Sequence, residues 1–201
     1  MYKFFDRASL VDRQMSGNLP HWQQGDCVVF VTWRLGDSLP LSKLEELKNR
    51  KEELLSKDKE EVAGSDRKLA AFRKIDEWLN RGYGSCLLKQ ENTRKIVDES
   101  LHYLDNRLYR LIAYVVMPNH VHLLIVPAAD LSYIMQNLKR YTSIRINKLL
   151  GTNGSLWQKE YFDHLVRSRR SFNDILDYIQ NNPANLQKGT YSLYFCKESL
   201  C

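Results

Sequence analysis

Residues 113–126, Ala-Tyr-Val-Val-Met-Pro-Asn-His-Val-His-Leu-Leu-Ile-Val, constrain the fold more than any other stretch of the chain. Two apolar runs joined by Pro118-Asn119 predict a buried β-hairpin. Alternate side chains of a strand share a face, so His120 and His122 point the same way and Val121 points into the opposite layer. Two imidazoles on one strand can hold one metal ion, and burying them with no role would be costly. A His-x-His spacing is also met at strand edges, where both rings simply bond to backbone, and the spacing alone does not separate the two.

A chain of 201 residues is expected to form one domain, 1–201, with a proper core. No apolar run approaches the roughly 20 residues that cross a bilayer. The start Met1-Tyr2-Lys3-Phe4-Phe5-Asp6 lacks a signal-peptide pattern. A cytoplasmic, nucleoid-associated protein with no membrane partner is expected. Cys27, Cys86, Cys196 and Cys201 form no CxxC pair and are expected to be reduced thiols. The net charge of +6 and sequence pI of about 9.1 suit a polyanionic partner. Between Leu131 and Arg170 the basic residues Lys139, Arg140, Arg145, Lys148, Lys159, Arg167, Arg169 and Arg170 face only Glu160 and Asp163, a surplus equal to that of the whole chain. A phosphate-binding surface near the histidine hairpin is expected, with Lys139, Arg140, Arg145 and Lys148 as contacts; a merely solvated face is the alternative.

In chain order, residues 1–25 lack periodicity and read as an arm. Cys27–Leu35 reads as a strand, with Trp33 and Arg34 placed to stack on a base and meet a phosphate, or to serve as core and surface. Residues 41–81 read as two charged helices, with stripes Leu41, Leu44, Leu47, Leu54, Leu55 and Leu69, Phe72, Ile75, Trp78, Leu79 around a break at Gly64-Ser65. They look like a helical insertion without chemistry. Helices follow over Asn92–Asp105 and Leu131–Leu150, the latter stopped by Gly151. Leu156–Arg167 reads as a strand. Ser171 is placed to cap a last helix that stops at Asn182, ahead of Pro183. The order βαββαβ predicts an α+β, ferredoxin-like (RRM-like) antiparallel sheet, with a helical insertion and a C-terminal helix.

On that last helix Phe172, Ile175, Leu176 and Ile179 form the apolar stripe. Tyr178 lies on its flank, and Asn182 follows one turn later on the same flank. A phenol and an amide oxygen projecting together suit metal-assisted attack on a phosphodiester, although a lone flanking tyrosine also serves as packing.

As a set, Val-Val-Met-Pro-Asn before His120-Val121-His122, then Leu156-Trp157-Gln158 with Tyr161 and Asp163-His164, then Asp177-Tyr178-Ile179-Gln180-Asn181-Asn182-Pro183 resemble the REP-associated tyrosine transposases. These belong to the single-tyrosine HUH nucleases and are relatives of the IS200-like transposases. The resemblance runs from about Leu19 to Leu186 and takes in Phe30–Pro40 and Tyr83–Leu88. It implies cleavage and rejoining of single-stranded DNA beside a hairpin, through a tyrosine that becomes linked to a 5′-phosphate. It places the nucleophile on Tyr178, the metal on His120, His122 and Asn182, and DNA contacts on Trp157 and Gln158. It also implies a divalent cation, Mg²⁺ or Mn²⁺; a monomer and a homodimer both stay open. The long helical region before Tyr83 and the tail from Leu186 depart from the family pattern.

Two other readings use the same residues differently. A ferredoxin-like sheet with a basic helix could be a non-catalytic binding module for structured single-stranded nucleic acid. A metallohydrolase using a metal-bound water would leave no covalent protein–DNA product.

Overall fold

The computed structural model describes residues 2–6, 8–16, 19–47, 49 and 72–197. Its centre is a five-stranded antiparallel sheet in the order β6-β3-β5-β4-β7, built from β3 (Val29–Arg34), β4 (Tyr109–Val116), β5 (His120–Pro127), β6 (Phe162–Leu165) and β7 (Ser192–Phe195). Helix α1 (Glu91–Leu104) links β3 to β4, and α2 (Leu131–Leu150) links β5 to β6. These six elements are the expected βαββαβ unit, with its first and third strands central. Helix α3 (Arg169–Asn181) and β7 extend it. None of the helices searched among the described residues is long and apolar enough to span a bilayer.

The period of two along each strand divides the core into two layers. Val29, Val31, Trp33, Val121, Leu123 and Ile125 face α1 and α2, where Val97, Leu101, Ile134 and Leu138 meet them. Val28, Phe30, Val115 and Leu124 face the other way, towards Phe172 and Ile179 of α3 and towards Phe72. A bulge between Leu111 and Ala113 turns Ile112 and Ala113 to the same side, which resets the alternation of β4 before the hairpin. Burying Phe172 and Ile179, 1% and 0% exposed, fastens α3 across this second face at about 1.5–3 kcal/mol per side chain.

Several boundaries differ from the sequence expectation, each for a local reason. Within the proposed arm, Asp12–Ser16 (β1) and Leu19–Gln23 (β2) pair as a separate antiparallel hairpin. The strand expected over 156–167 is confined to β6, because Trp157 turns aside to form an isolated bridge with Leu35. Ser168, rather than Ser171, caps α3, its hydroxyl accepting the Ser171 N–H at 3.1 Å. The tail that departs from the family pattern supplies β7, which adds an edge strand beside β4. Gly151 ends α2 at φ 65°, the left-handed conformation that glycine adopts without penalty.

Of the insertion, residues 41–47 and 72–79 are helical. Leu44, Leu47 and Ile75 pack on a satellite core of Leu39, Trp78 and Leu79, whereas Leu41 is exposed. Leu54, Leu55, Leu69 and the break at Gly64-Ser65 lie outside the described residues.

Candidate metal centre and nucleophile

Register decides what surrounds the histidines. On β3, Thr32 lies opposite His122 and Arg34 opposite His120; on the other flank Val115 lies opposite His122. Both imidazoles are fully buried, at 0% exposure. Their Nε2 atoms face each other at 3.1 Å.

The partners of the two Nδ1 atoms fix how the rings are turned. The Asn119 amide donates through Nδ2 to the carbonyls of Leu79 and Tyr83, so its Oδ1 is left to accept from His120 Nδ1, 2.8 Å away. His122 Nδ1 meets the Thr32 hydroxyl at 2.7 Å. Asn119 Oδ1 only accepts, so His120 carries its proton on Nδ1 and presents a bare Nε2; the Thr32 hydroxyl, which can donate or accept, orients His122 so that its Nε2 also faces inward, and such an outer bond prepares an imidazole for a metal.

Helix 72–79 brings a third group. Asp76 Oδ1 lies 3.1 Å from His122 Nε2 and 3.7 Å from His120 Nε2. Burial by itself would raise the Asp76 carboxyl, but the contact and charge of His122, then the charge of His120, hold it below the usual carboxylate range. Burial, with the His122 charge, pushes His120 well below an ordinary imidazole. The resting pocket is therefore an anion beside a neutral imidazole, with ligand atoms of Asp76, His120 and His122 all within 4.8 Å of one another. One carboxylate oxygen and two imidazole nitrogens converging in a buried space offer a cation three ligand atoms. Asp76 Oδ1 and Asn182 Oδ1 are also buried oxygens left without a hydrogen bond. The donor set of imidazole nitrogen and oxygen fits a divalent ion.

Helix α3 delivers the rest. Tyr178 Oη and Asn182 Nδ2 each lie 3.3 Å from His122 Nε2. The phenol ring packs against His122 at 5.2 Å and edge-on to Phe30 at 6.0 Å. Burial first, then the charge of Asp76, raise the Tyr178 phenol above its ordinary value, so it rests protonated. Tyr178 and Asn182 are half-buried, unlike the histidines beneath them.

The remaining expected site residues divide. Trp33 and Trp157 are 2% and 3% exposed and pack edge-on at 6.0 Å in the layer under α1 and α2, so neither offers a face for a base to stack on. Gln158 is half-buried, its N–H bonded to the Arg34 carbonyl. Lys139 is not a free phosphate ligand, because its ammonium donates to the carbonyls of Gln158 and Lys159 at 2.6 Å each. Arg140, Arg145 and Lys148 are exposed on α2. That helix covers the face opposite the histidines, so the basic surface is across the sheet from His120 and His122 rather than beside them. Arg34 does share the histidine side of β3; its guanidinium bonds Ser38 Oγ at 3.0 Å, and burial lowers it to about 10.

Asp76, Asn119 and Thr32 were not singled out from sequence. The available signal for Asp76 was an acid four residues after Phe72 and three before Leu79, in line with a buried stripe.

Residues 83–182, about half of the chain, match the family described as "Transposase IS200 like". An uncharacterised protein of Haemophilus influenzae is 26% identical over 97 residues, 37% of this chain. The match spans about half of that relative, 54% of its length. A solved structure of a REP-associated tyrosine transposase bound to a REP hairpin aligns with a TM-score of 0.44 at 16% identity, over 85% of this chain and 74% of that one.

Proposed function

The chain belongs, through residues 83–182, to the IS200-like transposases, and from that premise we propose that it cleaves and rejoins single-stranded DNA beside hairpin sequences, with Tyr178 as the nucleophile. The observation that carries this reading is the convergence of Tyr178 Oη and Asn182 on one imidazole nitrogen, His122 Nε2, at 3.3 Å each. Neither a packing tyrosine nor a binding module requires such a meeting.

In the proposed reaction the Tyr178 oxygen attacks the scissile phosphorus, the bond from phosphorus to the 3′-oxygen breaks, and a 5′-phosphotyrosine remains. The phenol proton ends on the released 3′-hydroxyl, and the reverse reaction rejoins a strand. A neutral phenol of pKa about 10 is a weak nucleophile towards an anionic diester. A bound Mg²⁺ or Mn²⁺ would polarise the phosphate and offset charge on the leaving oxygen. His120 and His122 would hold the ion, with Asn182 beside them; Thr32 and Asn119 keep the Nε2 edges of the two rings turned inward. Arg34, on the same side of β3, supplies a cation for the neighbouring phosphate. The exposed Arg140, Arg145 and Lys148 bind phosphates of the hairpin away from the scissile bond.

The test is incubation with end-labelled, hairpin-bearing single-stranded DNA and Mn²⁺, followed by a denaturing gel. A labelled band that migrates with the protein is expected. Cleavage without any adduct would replace this reading with hydrolysis by an activated water.

A further inference from the structure

We propose that Asp76 is the third protein ligand of the metal centre, completing a two-histidine, one-carboxylate face. The proposal rests on the metal-dependent reading above and adds to it a ligand that the family resemblance does not supply. Asp76 lies outside residues 83–182, the part of the chain that matches the family. It comes from the helical insertion, apart from both the histidine hairpin and α3.

Two independent observations point to it. The first is the triangle of donor atoms: His120 Nε2 to His122 Nε2 at 3.1 Å, His122 Nε2 to Asp76 Oδ1 at 3.1 Å, and His120 Nε2 to Asp76 Oδ1 at 3.7 Å. These are the separations of neighbouring ligands on one ion, and all three side chains are buried. The second is that Asp76 Oδ1 is buried without a hydrogen bond, while the other carboxylate oxygen accepts from Asn80 Nδ2 at 3.1 Å. One oxygen fixes the carboxylate and the other is left pointing at two imidazole nitrogens. A buried carboxylate oxygen is costly unless a proton donor or a cation takes it up, and the side chains beside this one are His122 and Tyr178, which themselves belong to the site.

Asn182 is the ligand that the resemblance places in this position. Its amide nitrogen lies 3.3 Å from His122 Nε2, whereas Asp76 Oδ1 lies 3.1 Å from His122 Nε2 and 3.7 Å from His120 Nε2. A carboxylate carries the charge that an amide lacks, and two imidazoles with one carboxylate form the facial set that leaves the remaining positions of an ion open. Asp76 therefore contributes more to metal affinity than Asn182, which stands with Tyr178 on the open side, where substrate oxygens would approach. Helix 72–79 becomes a functional element. Phe72 packs edge-on to His122 at 6.1 Å and stacks on Phe162 at 4.2 Å, so the helix that carries Asp76 is seated directly on the centre.

The experiment is Mn²⁺ titration of the full chain by calorimetry, with free Mn²⁺ followed by electron paramagnetic resonance, for wild type, Asp76→Asn, Asn182→Ala and the His120→Ala/His122→Ala double variant. Asp76→Asn is expected to weaken Mn²⁺ binding at least ~10-fold, the loss produced even by an outer partner of a metal site, and Asn182→Ala by less. Melting of the metal-free proteins identifies a variant whose fold has failed; Asp76→Ser then takes the place of Asp76→Asn. Wild-type affinity in a folded, uncharged Asp76 variant would overturn the proposal. If that occurs while the double histidine variant loses Mn²⁺, only the Asp76 assignment falls. If the double histidine variant binds as wild type, the metal centre itself is wrong.

Discussion

Tyr178→Phe separates chemistry from folding more cleanly than any other substitution in this chain. The phenylalanine ring keeps the contacts to His122 at 5.2 Å, Phe30 at 6.0 Å and Phe72 at 6.5 Å. What goes is one hydroxyl and its contact with His122 Nε2 at 3.3 Å. A single hydrogen bond is worth about 0.5–1.5 kcal/mol net, and a chain of this size shifts its melting temperature by about 2–4 °C per kcal/mol. The variant should therefore melt within about 6 °C of wild type and bind hairpin DNA and Mn²⁺ as before. Covalent adduct should fall below detection. Tyr141 and Tyr161 are the competing nucleophiles, and the fold disfavours both: Tyr141 is exposed on α2, and Tyr161 packs into the core layer beneath α1 and α2, each on the side of the sheet away from the histidines. Tyr141→Phe and Tyr161→Phe should keep adduct formation. Peptide mapping of a wild-type adduct to either residue, or an adduct in Tyr178→Phe, would refute the argument.

Four further outcomes are expected. Thr32→Val preserves shape but removes the hydroxyl bonded to His122 Nδ1, and should lower Mn²⁺ affinity ~10–100-fold in calorimetry with little change in the packing of β3. Neutralising Arg140, Arg145 and Lys148 together should flatten the salt dependence of hairpin binding by about one unit of slope per lost phosphate contact, whereas Lys139→Met should leave the slope unchanged because that ammonium is held by two carbonyls. Gly84→Ala should be strongly destabilising in denaturant unfolding, since Gly84 has φ +82° and its added Cβ would collide with the Asp37 carbonyl. Burial lowers Lys139 to about 8 from 10.5; the unfolded chain therefore holds the proton to higher pH, so stability from this group rises between about pH 8 and 10.5, and Lys139→Met should lose that rise in a pH series of melts.

How far the sequence reaches into this site can be judged on β3. Strand alternation alone says that Trp33 and Arg34 point to opposite faces, so the expectation that both meet DNA could hold for one at most. The structure gives Arg34 to the histidine side and Trp33 to the core. Alternation likewise put His120 and His122 together and Val121 apart, because that period is a local property of one strand. Helical periodicity placed Tyr178 and Asn182 on one flank of α3 for the same reason. Register is not local. That Thr32 lies opposite His122, ninety residues along the chain, depends on which strands pair, and no pattern within β3 announces it. The four-residue β7 gains its strand character from pairing with β4 at the edge of the sheet. Asp76 is the extreme case: within 72–79 it reads as one acid in a charged helix, and only the docking of that helix over Phe162 and His122 brings its carboxylate to the two histidines. The residues legible in advance are those whose partners lie within a turn or a strand. A group that completes the site from another element becomes visible once the sheet has fixed where its partners stand, which is why the unpartnered oxygen of Asp76 says more about this chain than its sequence context does.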